Sequence, residues 1–93
     1  MLANAQILKN GLSCDDCFNI SVKNHILTMR YIGGAVVSNF SIPLSDISNL
    51  SMDHWFGSQQ VDFLYHDLKF KFIENGYGDI DYLKKNLFQK NAA

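Results

Sequence analysis

Residues 61–73 read Val-Asp-Phe-Leu-Tyr-His-Asp-Leu-Lys-Phe-Lys-Phe-Ile, and their alternation decides the fold class. Val61, Phe63 and Tyr65 alternate with Asp62, Leu64 and His66, and Leu68, Phe70 and Phe72 alternate with Lys69 and Lys71. Successive side chains of a strand point to opposite faces, so each run predicts a strand with one apolar and one wetter face. His66-Asp67 between them predicts a hairpin turn. Lys69 and Lys71 then lie on the outer face, where lysine also discourages pairing with a foreign strand.

The same period recurs upstream. Phe18, Ile20 and Val22 alternate with Asn19, Ser21 and Lys23, and Asn24-His25 predicts a tight turn. Residues 26–32 return with Leu27, Met29 and Tyr31 on one parity and Ile26 and Ile32 on the other. Apolar residues on both parities predict a central place in the sheet. Gly33-Gly34 ends this hairpin, and residues 35–44 resume with Val36, Phe40, Ile42 and Leu44 sharing one parity. Pro43 lacks an N–H, which assigns it to a strand end or an edge. Asp46, Ile47, Leu50 and Met52 read as a further short strand, residues 54–60 as a loop, and residues 6–12 as a first strand. Behind Gly76-Tyr77-Gly78 the period becomes helical: Ile80, Leu83, Leu87 and Phe88 share one face of a helix over about residues 79–90. Asp79 is its expected N-cap; Asp79 and Asp81 sit at the positive end of the dipole, and Lys84, Lys85 and Lys90 at the negative end.

Ninety-three residues allow one domain with one core. A hydrophobic share of 47% against 18% charged residues marks a globular chain rather than a disordered one. Eight Lys and Arg against nine Asp and Glu leave a formal charge of -1, which removes the broad basic field that nucleic acids and anionic membranes attract. Residues 1–11 show no cationic stretch followed by an apolar run, and no apolar run approaches the roughly 20 residues of a membrane-spanning helix. A soluble, cytoplasmic protein is expected, and two cysteines suit a reducing compartment.

Cys14-Asp15-Asp16-Cys17 is the sharpest local motif, since C-x-x-C spacing holds two corners of a zinc site or a redox disulfide. No second pair follows, and His25, His54 and His66 lack the spacing that completes a zinc finger. Asp15 and Asp16 also oppose thiolate formation by like-charge repulsion. An incidental or structural pair is therefore the first reading, with no metal and no cofactor. The alternative is a small zinc- or thiol-dependent regulator built on Cys14 and Cys17. His54-Trp55-Phe56-Gly57 puts two large aromatics in the expected loop. Trp55 either folds over an open sheet edge, or Trp55 and Phe56 anchor a protein partner. Asp62, His66 and Asp67 have no nucleophile or oxyanion loop beside them, so an enzyme is not expected. Gly76-Tyr77-Gly78 lacks a phosphate-binding pattern and reads as a turn.

About seven strands in meander order followed by one helix, with no βαβ unit, predict a mainly β fold. Its form is a bent antiparallel sandwich or partly open barrel capped by the C-terminal helix. Four segments carry a resemblance: the hairpin 18–32, the stretch Phe40-Ser41-Ile42-Pro43-Leu44-Ser45-Asp46-Ile47, the hairpin 61–73, and the helix 79–88. In these the chain resembles the bacterial pleckstrin-homology-like domains. The resemblance implies a non-catalytic interaction or assembly module that is often oligomeric. Its phosphoinositide-binding eukaryotic version carries a dense Lys/Arg cluster around the first hairpin loop. Here that loop offers Lys23, with Lys9 and Arg30 nearby in sequence, so membrane or phosphoinositide binding is not expected and a protein partner or self-association is.

Overall fold

Four two-residue turns, each opening on a residue with positive φ, set the strand connections: Asn10 (52°), Asn24 (54°), Phe56 (51°) and His66 (56°). In the first three the second residue is also positive, the geometry whose twist matches that of a hairpin. Gly11 at φ 82° occupies such a position without the steric cost a side chain would bring. The computed structural model describes residues 1–32 and 39–88, with the Trp55 side chain excluded. Gly33-Gly34, the first part of the expected strand 35–44, Lys90, and the question of what covers Trp55 lie outside the described residues.

The strands are β1 (Leu2–Lys9), β2 (Leu12–Lys23), β3 (Ile26–Tyr31), β4 (Asn39–Pro43), β5 (Ile47–Trp55), β6 (Ser58–Tyr65) and β7 (Leu68–Ile73). They form one antiparallel sheet in the order β4-β3-β2-β1-β7-β6-β5. β1 therefore joins a four-strand meander to a three-strand one. Two expectations about the strands are corrected. The first strand runs over Leu2–Lys9 and not over residues 6–12, because Asn10-Gly11 turns the chain and starts β2 at Leu12. Residues 54–60 are no loop but the end of the β5–β6 hairpin, turning on Phe56 and Gly57.

The sheet curls into a half-barrel. Phe40 of β4 meets the ring of Phe70 of β7 edge-on at 5.2 Å, although β3, β2 and β1 lie between them in the ladder, so their contact crosses the interior. Phe63 stacks on Phe70 at 5.1 Å and on Phe72 at 6.0 Å. Phe18, Ile20, Leu27, Met29, Ile42 and Val61 add to the buried face with the parity read from the sequence, and Ala3 of β1 joins them.

Each free edge is interrupted. The Leu44 N–H donates to the His25 carbonyl at 2.9 Å, and alternation turns the amides of Ile42 and Phe40 toward β3 while position 43 faces outward. Pro43 thus loses no ladder bond, as its place at an edge strand's end requires. On β5 the register shifts between Ser48 and Ser51, with Asn49 at φ 54°, a bulge that twists the edge away from foreign strands. A single 3₁₀ turn, Leu44–Asp46, carries the chain from one edge strand to the other.

The C-terminal helix consists of α1 (Asp79–Leu83) and a wider i→i+5 turn over Lys84–Phe88. Its N-cap is Gly78 at φ 87°, not Asp79, whose carboxylate folds back instead to accept the N–H groups of Asn75 (3.2 Å) and Ile80 (2.9 Å). The Asn86 side-chain amide donates to the Tyr82 carbonyl at 2.8 Å, the acceptor that its own N–H would take in an α-helix. Ile80, Leu83 and Leu87 are buried, whereas Phe88 is 40% exposed. The i→i+5 turn over Lys84–Phe88 departs from the α-helical spacing that places Phe88 in that stripe. Tyr82 ties the helix to the sheet. β2 overhangs the start of β1, Ile20 donates to the Met1 carbonyl at 2.8 Å, and two residues on the Val22 N–H finds the Tyr82 hydroxyl at 2.9 Å. Among the described residues no helix is long and apolar enough to cross a membrane.

Candidate functional site

With Ala3 and Ala5 turned inward, β1 presents Leu2, Asn4 and Gln6 on the outer face. The register extends these positions into rows that cross the sheet. Asn4 stands between Ile73 of β7 and Cys17 of β2, and the Ile32 N–H donates to the Cys17 carbonyl at 3.1 Å, which brings Ile32 to the end of the same row. In the adjacent row Gln6 stands between Lys71 and Asp15. A hollow of about 540 Å³ opens over these two rows, lined by Asn4, Gln6, Asp15, Cys17, Ile32 and Ile73. Ile32 is 45% exposed and Ile73 40%, so apolar walls flank a polar, acidic floor.

Sequence reasoning missed this surface. Ile73 shares the parity of Lys69 and Lys71, and an apolar residue on a lysine face was the signal that could have found it.

The two cysteines do not come together. Both lie in β2, and three residues of strand place their side chains on opposite faces with Cα atoms about 10 Å apart, beyond the reach of a disulfide. Cys17 lines the outer hollow. Cys14 has the parity of Phe18, and its Sγ donates to the Asp16 carboxylate at 2.8 Å. That hydrogen bond raises the thiol's pKa above the ordinary 9.0, and the charges of Asp16 and Asp15 act in the same direction. Asp16 raises the Tyr31 hydroxyl as well, mainly through its charge. Both groups thus stay neutral at physiological pH, the opposite of an activated nucleophile. No group of three or more metal-ligating side chains occurs among the described residues.

Phe56 stands at the tip of the β5–β6 hairpin and is 94% exposed. Asp62, only 7% exposed, lies on the outer face, where its carboxylate accepts the Gln60 amide at 2.8 Å beside a smaller hollow at the β5 bulge. His66 and Asp67 occupy the hairpin turn. Asp67 pairs with Lys9 at 3.6 Å, an exposed contact worth little. The structure therefore spreads Asp62, His66 and Asp67 over a strand face and a turn. No family model, curated protein or solved structure matches the chain.

Proposed function

We propose that the chain is a pleckstrin-homology-like, non-catalytic interaction module that assembles with copies of itself. Support for the fold relationship comes from two antiparallel meanders joined through β1 and β7, with a C-terminal helix tied to the sheet. The observation that carries the functional reading is the outer hollow with Ile32 and Ile73 exposed on its walls. Apolar side chains gathered around a concavity mark contact surfaces, whereas scattered ones do not. The neutral, carboxylate-bound Cys14 supports a role without covalent chemistry. Phe56, with Trp55 beside it in the chain, offers a second contact for a protein partner. A formal charge of -1 favours neither nucleic acid nor an anionic membrane.

Multi-angle light scattering over about two decades of protein concentration tests the reading, because the mass of a self-associating chain rises with concentration. A mass of 10.6 kDa at every concentration would remove self-association.

A further inference from the structure

We infer that two copies pack back to back through the outer faces of β7, β1 and β2, about a two-fold axis that runs along β1. The inference rests on the self-association reading and names its surface. A face-to-face pair with an axis in the interface plane sets each point of the patch against its own reflection across the axis. With the axis along β1, the side chains of Leu2, Asn4 and Gln6 face their own copies. Strand β7 then faces β2 of the second copy. The ladder register places Lys71 and Asp15 in one row on either side of Gln6, so each lysine is set against the other copy's Asp15, twice per pair. In the next row Ile73 and Cys17 flank Asn4, and each isoleucine is set against the other copy's Cys17 and the neighbouring wall at Ile32.

The hollow supplies the shape. It lies over the β1–β2 side of the rows, the side that receives β7 of the second copy, and its acidic end at Asp15 suits a lysine whose aliphatic stem runs along apolar walls. Axes along β2 or β7 lack this match, because they would set Asp15 or Lys71 against its own like-charged copy. With a net charge of only -1 on each copy, overall repulsion is small.

Charge reversal tests the pairing. Asp15→Lys and Lys71→Glu each set like charges across the axis twice, and each single variant should raise the dimer dissociation constant by at least about tenfold. The double variant exchanges the partners across the axis and should recover most of the lost affinity, short of the full value because the acid at position 71 also faces Asp62, its neighbour on β6 of the same copy. As a second measurement, Asn4→Cys in a Cys14→Ser/Cys17→Ser background places one thiol on the axis. A short bis-maleimide should join two copies there and should not join them through Ser45→Cys, which lies in the Leu44–Asp46 turn. Dimers that single reversals leave intact, together with no cross-link at position 4, overturn this surface while sparing self-association. An unsubstituted chain that stays monomeric overturns both. If a reversal disturbs folding, the cross-link alone decides between these outcomes.

Discussion

Leu83 is the residue through which the helix meets the core most directly, wholly buried in α1 between Ile80 and Leu87. Leu83→Ala removes three carbons from that contact. At about 0.8 kcal/mol per buried carbon the transfer loss is about 2.4 kcal/mol. A residual cavity of about 50 Å³, at about 24 cal/mol per Å³, adds about 1.2 kcal/mol. The variant should therefore lose about 3.6 kcal/mol, a large part of the roughly 5–15 kcal/mol typical of a folded domain. With a urea dependence of about 1 kcal/mol per molar for a chain of this size, the unfolding midpoint should fall by about 3.6 M, or the variant should be unfolded at the outset. Lys85→Ala is the control: Lys85 is exposed on the same helix, and its loss should change stability by less than about 0.5 kcal/mol. The assay is a urea titration of both variants followed by tryptophan fluorescence and circular dichroism. Equal midpoints would mean that the helix contributes nothing to the cooperative unit, and the capped half-barrel would have to be abandoned.

Burial pushes the Asp79 carboxyl above its ordinary value of 3.8, Glu74 adds to the rise, and the N–H donors of Asn75 and Ile80 oppose it. Its Oδ2 is buried without a hydrogen-bond partner among the described residues. Because the folded state favours the neutral acid, the Asp79 contribution to stability is fullest below the ordinary value and is lost as pH rises through the raised one. Asp79→Asn should be more stable than the parent at neutral pH and flatten this part of the stability–pH curve; urea midpoints measured at several pH values check it, and a less stable variant at neutral pH would refute it. Tyr82→Phe leaves the Val22 N–H without its acceptor and should cost about 1–3 kcal/mol, with faster amide exchange at Val22 as the local readout. Asp16→Asn removes the charge that keeps the Cys14 thiol protonated, so iodoacetamide should alkylate Cys14 faster at pH 8, and an unchanged rate would discount the Cys14–Asp16 contact.

Both hairpins read from alternation stand at their expected turns, because a half-buried strand writes its burial directly into period two. The two errors in the strands share one cause. Asn10-Gly11 is among the strongest hairpin signals a sequence carries, yet the polar run of residues 13–17 has no alternating apolar face to announce the strand behind it. Those residues extend β2 along β1 by backbone pairing, and that pairing puts Cys14 and Cys17 on opposite faces of a strand. Phe56-Gly57 was passed over in the same way, since Trp55 and Phe56 obscure the alternation just where the hairpin turns. Buried positions were legible in single strands; the outer rows were not, because they exist only once the register of β7, β1 and β2 is known.

The ladder between β1 and β7 also bears on how the chain reaches this fold. Among the described residues every other strand pairing joins sequence neighbours, whereas this one brings residues 4–8 to residues 69–73. Local hairpins close within microseconds, but a loop of about sixty residues must lose its freedom before β1 and β7 exchange a hydrogen bond. The two meanders are thus expected to form early as separate units, and the rate of folding to be governed by their meeting along β1. Substitutions in the early hairpins, β5–β6 among them, then fall on the folding limb of a chevron plot, and those in contacts completed only after β1 and β7 have met fall on the unfolding limb.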